Sequence, residues 1–473
     1  MINKLKPVLL AALLLTSAAC KDDFLELAPV SQANIDGFYK TPADFRTAVI
    51  GAYATLLGGG MYGNWFLFTD QRSDNTEQEE YQGLLQVPGD FDTFTLTTTN
   101  SHLAENWNAH YQLINRTNTI LGRINDVAFA VPAQKDQIVG EALFLRALAY
   151  FNLVQVYGDV PLVTTVLAPA ESYSYLRRPV AEVYAQIIKD LTEAASKLPI
   201  SRTGTDIGRA TQGAAKGLLG KVYLTRKTYA EAARVLKEVI DAGTYQLLQN
   251  YADLFRDANA HNRESIFEVA YKSNSQGRGN TFATLFAPRT GGVAVTGQGA
   301  SQGYNRPTRD MITAYEAGDS RKPASLAESW MNGSTVVNDP YVRKYMTQLQ
   351  SPNDGDANWI VLRYADVLLM YAEALNEQNQ SAQALPFLNQ VRKRAGLADV
   401  TASGQTALRT ALENERRVEL AFEGHRWFDL LRTGQALEVM REKGKTVSDK
   451  DLLFPIPQQQ RDINPALTQN PGY

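Results

Sequence analysis

Residues 371–388 read YAEALNEQNQSAQALPFL, and residues 219–236 read LGKVYLTRKTYAEAARVL. Each stretch contains two short helical patterns joined by a polar turn. Nine positions separate the last residue of the first pattern from a small residue of the second in both stretches, from Tyr223 to Ala232 and from Leu375 to Ala384. The spacing predicts two helical hairpins, because small side chains let antiparallel helices approach closely.

Both stretches follow the tetratricopeptide spacing, L-G-x2-Y and then A-x3-F. Gly220 and Ala372 occupy the small positions of the first helices. An ordinary αα-hairpin is the alternative interpretation. The two stretches lie too far apart in the sequence to predict a tandem solenoid, although residues 141–157 could supply a third first helix.

Helical periodicity extends well beyond the two hairpins. Thr41 is placed as an N-cap before Pro42, which predicts a helix that ends before Gly58. Further helices are predicted at residues 107–124, 132–157, 180–198 and 407–432. Loops are predicted at residues 61–100, 274–305 and 351–358 and at the C-terminus. We therefore expect a mainly α protein in which tetratricopeptide-like hairpins form a scaffold with long loops and small β pieces.

Composition excludes several classes of protein. The chain has 473 residues, with 47 Lys and Arg against 50 Asp and Glu, and a formal net charge of −3. This balance lacks the basic footprint that duplex nucleic acid requires. One cysteine excludes a disulfide framework within the chain.

The N-terminus has the pattern of a bacterial lipoprotein signal. Lys4 and Lys6 precede an apolar run at residues 8–15, which is too short to span a bilayer. The only cysteine, Cys20, follows Ser17-Ala18-Ala19, so we expect residues 1–19 to be a signal peptide and residues 20–40 a lipidated N-terminus and tether. A soluble secreted protein with a free thiol is the alternative. No later segment is predicted to span a membrane, so the protein is expected to be anchored only.

No complete catalytic or metal-binding motif is present in the sequence. Residues 299–303 fit G-x-S-x-G, but they lack the strand and helix that a nucleophile elbow needs. Residues 354–358 open like a calcium loop, yet Trp359 replaces the required glycine. None of the four histidines forms a zinc-type pair. We therefore predict no enzyme, no cofactor and no dedicated metal site, and an isolated calcium ion stays open.

Charged residues crowd the segment that includes Glu413, Glu415, Arg416, Arg417, Glu419, Arg426 and Asp429. On one amphipathic helix, residues three or four positions apart form ion pairs. We therefore expect ion pairs within the helix, such as Glu413 with Arg416 and Arg417.

Residues 415–430, ERRVELAFEGHRWFDL, resemble the signature helix of the SusD/RagB family. Four other stretches are similar to that family: RYAD at 363–366, AEALN at 372–376, VRKRAGL at 391–397 and FPIP at 454–457. The resemblance implies the SusD-like α/α fold. It divides the chain into an N-terminal helical region at 41–260, a loop-rich ligand face at 261–360 and a C-terminal helical region at 361–473.

The same resemblance implies a function. Members of the family are non-catalytic lipoproteins on the outer face of the outer membrane. They bind oligosaccharide or polysaccharide and deliver it to a SusC-like TonB-dependent transporter. The alternatives are a receptor of the same fold for peptides or other nutrients, a surface glycoside hydrolase, and a protein–protein adaptor that uses the hairpins.

Glycan receptors place aromatic faces against the C–H faces of sugar rings and add polar groups for the hydroxyls. The candidates are aromatic residues in predicted loops and one acidic neighbour: Trp65, Tyr81, Tyr304, Trp330 and Asp74. The alternative for each aromatic residue is that it only packs its loop onto the scaffold. Trp107 and Trp427 lie in helical patterns and are predicted to be core.

We expect Cys20→Ser to be exported but released from the outer membrane, because the lipid on Cys20 is the predicted anchor. One acyl chain binds membranes only marginally, so stable anchoring needs the several chains of a lipoprotein. Ser17→Leu, which restores the residue usual at that position, is the control and should stay anchored. Membrane fractionation measures both, and retention of Cys20→Ser in the outer-membrane pellet would contradict the prediction.

Overall fold

The computed structural model describes residues 37–78, 89–274, 277–299, 301–402 and 404–473. The α-helices in chain order are α1 Pro42–Thr55, α2 Trp65–Phe68, α3 Asp90–Thr93, α4 Ser101–Arg123, α5 Pro132–Tyr157, α6 Pro169–Ser172, α7 Val180–Lys197, α8 Gln212–Thr225, α9 Tyr229–Asp241, α10 Phe282–Phe286, α11 Gly292–Thr296, α12 Arg309–Ala314, α13 Lys322–Ser325, α14 Tyr364–Glu377, α15 Ser381–Arg394, α16 Gln405–Glu419, α17 Arg426–Thr433, α18 Ala436–Glu442 and α19 Gln458–Ile463. Short 3₁₀ helices lie at Tyr62–Asn64, Ile124–Asp126, Gly204–Asp206, Tyr251–Phe255, Asp257–Asn259 and Asp449–Leu452.

The strands are short and form antiparallel pairs. They are β1 Thr76–Glu77, β2 Val160–Pro161, β3 Arg177–Arg178, β4 Ser265–Val269, β5 Arg306–Pro307, β6 Leu326–Ala327, β7 Trp330–Asn332, β8 Thr335–Val337, β9 Tyr341–Val342 and β10 Trp359–Arg363. Within the described ranges, β1 pairs with β5, β2 with β3, β4 with β10, β6 with β9 and β7 with β8. The prediction of a mainly α fold with small β pieces is confirmed.

The helical hairpins are confirmed as α8–α9 and α14–α15. Ala232, Ala372 and Ala384 are fully buried, as their small size predicts. A Cβ added to Gly220 would lie 2.4 Å from Leu236 Cδ2, which leaves no room for a larger residue.

The two hairpins are neighbours in space despite their distance in the sequence. α9 packs against α14, and α8 packs against α7, which in turn packs along α5. The hairpins therefore belong to one continuous array of helices, which sequence separation alone does not predict. One hydrophobic cluster runs through all three predicted regions of the chain, and the region boundaries at 260 and 360 stay a prediction.

One predicted helix is wrong. The chain from 407 to 432 breaks after Glu419 and resumes at Arg426. Phe422 has a φ of 65° and Gly424 a φ of 81°, both outside the helical region. A Cβ on Gly424 would lie 3.0 Å from the Trp359 ring, so the tight turn requires glycine there.

Smaller corrections concern helix ends and predicted loops. α1 begins as predicted, because Thr41 and Asp44 form a capping box. α4 begins at Ser101, before the predicted residue 107, because the Asn100 side chain accepts a hydrogen bond from the His102 backbone N–H. Short helices also occur in the predicted loop 274–305 and in the C-terminal segment.

α5 corrects the expectation about membrane-spanning segments. It is long and apolar enough by length and composition to cross a bilayer. However, 89% of its most apolar window is buried inside the protein. It is therefore the central core helix of this fold.

The charged segment forms a buried network with residues of other elements and not the predicted pairs of Glu413 with Arg416 and Arg417. The carboxylate of Glu419 is fully buried and contacts three guanidinium groups, those of Arg321 at 2.9 Å, Arg363 at 2.5 Å and Arg394. Glu264 bonds the last two, at 2.9 and 3.0 Å. These partners come from distant parts of the chain, so the network joins them.

The pairing within α16 that was predicted for Glu413 is absent among the described residues. The Gln435 side-chain amide donates a hydrogen bond to Glu413. Arg416 instead bonds Asp366 at 2.7 Å and Asp429 at 3.2 Å. Glu413 and Arg416 share a helix as predicted, but the ion-pair partners of Arg416 come from other elements of the fold.

We expect Ala384→Leu to lower the free energy of unfolding by about 1–3 kcal/mol, because added bulk overpacks the buried contact between α14 and α15. Ala382→Leu is the matched control, since Ala382 is exposed on the same helix and should change stability by less than about 0.5 kcal/mol. Urea unfolding measures both. Equal effects of the two variants would contradict the prediction.

We expect Glu419→Gln to cost about 3–5 kcal/mol, because it leaves buried guanidinium groups without their shared counter-charge. Burial would raise the pKa of Glu419, but the charges of Arg394, Arg363 and Arg321 hold that pKa well below its usual value. The contribution of Glu419 is therefore fully present above the pKa of the unfolded carboxyl and is lost as pH falls towards the folded pKa.

Urea unfolding of the parent and Glu419→Gln at several pH values measures this effect. The difference between the two should be largest near neutral pH and should shrink below about pH 4. Glu182→Gln is the control, because its pair with Arg178 is exposed and should contribute less than about 1 kcal/mol. A small, pH-independent effect of Glu419→Gln on the free energy of unfolding would contradict the prediction that the ionised Glu419 carboxylate stabilises the fold.

Candidate functional site

Two short strands from distant parts of the chain meet on one face of the molecule. β1 pairs antiparallel with β5, so that Glu77 lies opposite Arg306. Arg306 Nη1 lies 2.9 Å from Glu77 Oε1, and Arg306 Nε lies 3.3 Å from Asp339 Oδ1. All three side chains are partly exposed. Tyr304 lies two residues before Arg306 and is half-buried. We call these four residues the Tyr304 face.

The backbone before Tyr304 makes a tight turn. Gly303 has a φ of 67°, a conformation that favours glycine. A Cβ at Gly303 would lie 3.3 Å from the backbone nitrogen of Arg289, so the turn brings two loop segments together. The Tyr304 backbone N–H then donates to the Leu285 carbonyl at 2.8 Å. The tyrosine is therefore held on an ordered backbone.

Several polar atoms next to β1 and β5 are buried without a partner. Asn305 is fully buried with a φ of 54°, and neither polar atom of its side chain bonds any part of the chain that the structure describes. The same holds for Asn75 Nδ2 and the hydroxyl of Thr76. Each such atom costs about 1–3 kcal/mol unless it bonds something else. These unpartnered atoms lie in the interior beside β1 and β5.

Asp74 holds the strand β1 against the charged segment. Its carboxylate bonds Arg426 Nε at 2.7 Å and Arg417 Nη2 at 2.9 Å, and it is buried. Burial would raise the pKa of Asp74, but the hydrogen bonds and charge of Arg426 and the charge of Arg417 keep that pKa below its usual value. Asp74 is therefore a positioning residue that stays ionised.

Arg417 joins both sides of the Tyr304 face. It donates to Asn75 Oδ1 at 2.9 Å, just before β1, and to Asp310 Oδ2 at 2.8 Å, just after β5. One guanidinium group thus fixes the flanks of both strands. This contact links the charged segment to the candidate site.

The predicted ligand residues lie in different environments. Trp65 is 5% exposed and lines an enclosed cavity of about 50 Å³, far below the roughly 300 Å³ of ligand pockets. Trp330 is 7% exposed in β7, and its Nε1 is buried without a partner. Tyr304 is half-buried and keeps part of its side chain accessible. Tyr81 and Cys20 lie outside the described residues. The side chains of Trp65 and Asp74 are buried, and their assignment as ligand contacts stays a prediction.

The sequence missed Glu77, Arg306 and Asp339, because they become neighbours only when β1 pairs with β5. The signal that could have found them is weak, since no periodicity or motif distinguishes these residues from other surface charges. The predicted core residues Trp107 and Trp427 are buried.

The motifs considered for catalysis and metals have structural roles. Ser301 is buried and its hydroxyl bonds the Pro288 carbonyl. Asp356 accepts hydrogen bonds from Ser273, and Asp354 accepts one from the Asn274 backbone. Among the described residues, no group of three His, Cys, Asp or Glu side chains is placed to hold a metal ion.

Two family models match the chain. The model described as the SusD family matches residues 328–473, which include the charged segment. The model described as starch-binding associating with outer membrane matches residues 23–224. The N-terminal match contains β1. The C-terminal match contains Arg417 and Arg426, which bond Asp74 just before β1.

Relatives cover almost the whole chain. A SusD-like protein of Formosa agariphila, P2, is 30% identical over 508 aligned residues that span 98% of each protein. Another from the same organism, P25, is 27% identical and spans 99% of this chain and 100% of the relative. A solved structure of a laminarin-binding SusD-like protein has 32% identity and a TM-score of 0.81, and covers 92% of this chain and 100% of that one. With this coverage, the signature segment and the helical array, the chain belongs to the SusD family.

Proposed function

We propose that this protein is a non-catalytic receptor that binds an oligosaccharide or polysaccharide at the Tyr304 face. The observation that carries the proposal is the partly exposed Tyr304, two residues before Arg306 of the Glu77–Arg306–Asp339 cluster. An aromatic face suits the C–H surface of a sugar ring, and carboxylates and a guanidinium group bond its hydroxyls. Arg306 engages both carboxylates, which suits binding and not acid–base catalysis.

The comparisons support a glucan as the first ligand to test. One structural relative binds laminarin, and the model that matches residues 23–224 is described as starch-binding. Both are neutral glucose polymers. Receptors of the same fold for peptides or other nutrients are the competing class.

The proposal includes the setting of the receptor. The lipoprotein signal at Cys20 and the match to a model that is described as associating with the outer membrane support a lipid-anchored protein on the cell surface. The family resemblance supports a SusC-like TonB-dependent transporter as the partner that receives the glycan. The membrane is thus contacted through the lipid alone.

We expect Tyr304→Ala to weaken glycan binding about two- to tenfold, which corresponds to the roughly 0.5–1.5 kcal/mol of an aromatic contact. Calorimetric titration with laminarihexaose and maltohexaose measures this change. Tyr81→Ala and Arg306→Gln test the rest of the predicted site in the same way. Tyr173→Ala is the control, because this tyrosine is 55% exposed elsewhere on the surface.

Each variant is first shown to be folded by its unfolding midpoint. Binding that is unchanged in Tyr304→Ala, Tyr81→Ala and Arg306→Gln would place the ligand elsewhere. Binding of neither sugar by the parent, with binding of a peptide mixture, would favour the competing class.

A further inference from the structure

A second groove lies between α4, the segment from Pro161 to Tyr175, and α19. Its volume is about 320 Å³, within the range of small-molecule sites. It shares no lining residue with the Tyr304 face. Most of its lining residues come from the N-terminal half of the chain, and the rest lie at 460–467.

Aromatic residues contribute to the lining of the groove. Trp107 is 4% exposed, and its ring lies 5.0 Å from the ring of Tyr111, centroid to centroid. Tyr175 also lines the groove and is half-buried. The partly accessible ring of Tyr175 suits the C–H face of a sugar ring.

The polar groups of the groove are neutral. Its lining residues include amides and hydroxyls but no Lys, Arg, Asp or Glu. The neighbouring groove of about 900 Å³ differs, since Lys135, Arg146 and Asp190 line it. A charged ligand would find no counter-charge in the smaller groove, so the lining selects an uncharged one.

The amide groups are held in place. Gln460 Nε2 donates to Asn108 Oδ1 at 2.9 Å, and Asn464 Nδ2 donates to the Tyr175 carbonyl at 2.9 Å. These bonds connect α19 to α4 and to the segment that contains Tyr175. The groove is therefore built before any ligand arrives, which lowers the entropic cost of binding.

We propose that this groove is a second sugar-binding site that takes one or two rings of a neutral saccharide, with Tyr175 as its aromatic contact and the buried Trp107 in its lining. The proposal rests on the proposed glycan-binding function. Two separate sites on one receptor hold a polymer more tightly than either site alone, because the second contact becomes intramolecular.

The test follows the indole of Trp107 directly. The chain has five tryptophans, so 5-fluorotryptophan labelling gives five ¹⁹F signals, and Trp107→Phe identifies the signal of Trp107. Laminarihexaose and maltohexaose are added up to saturation. We expect the Trp107 signal to shift, and Tyr175→Ala to raise the Kd measured from that shift about two- to tenfold.

Two controls separate this site from the Tyr304 face. Tyr173→Ala changes a neighbouring exposed tyrosine that does not line the groove, and it should leave the Trp107 titration unchanged. Tyr304→Ala should also leave it unchanged. A Trp107 signal that stays fixed while calorimetry shows Tyr304-dependent binding would overturn the second site and leave the proposed function intact. A shift at Trp107 without any effect of Tyr304→Ala on binding would support the groove and refute the Tyr304 face.

Discussion

The buried carboxylate of Glu419 is the interaction on which the rest of this structure depends. It is surrounded by Arg321, Arg363 and Arg394, which come from the segment before α13, the end of β10 and the end of α15. A buried charge is tolerated only when its partners are present with good geometry. The three arginines must therefore converge for the chain to reach this state. The network thus links the loop-rich middle of the chain to the second hairpin.

The charged segment that contains Glu419 also connects to the candidate site. Arg416 bonds Asp366 at the start of α14, and Arg417 and Arg426 bond Asp74 before β1. The charged residues of the family signature thus each have an identified partner. Through these pairs, the signature segment fixes the position of the chain next to β1.

The helical array tolerates less change in side-chain size than the segments that connect its helices. The helical array is held by close contacts between small residues, such as Gly220 against Leu236, and these tolerate little change. The residues of the Tyr304 face lie on short strands and connecting segments, where side chains can vary without disturbing the array. A fold of this kind can keep its framework while the ligand changes.

The sequence by itself determined the helical hairpins, the capped start of α1, the buried tryptophans of the helices and the mainly α class, because these depend on patterns within a few turns of the chain. Tertiary structure alone decided the rest. The helix predicted at 407–432 breaks because Gly424 must fit between Trp359 and Trp65, which no local pattern encodes. Trp65 was predicted to lie in a loop but lies in the core, and Glu77 meets Arg306 only through β1 and β5. Ion pairs and strand pairs join residues hundreds of positions apart, and their partners are chosen by packing and desolvation in the folded chain and not by spacing along it.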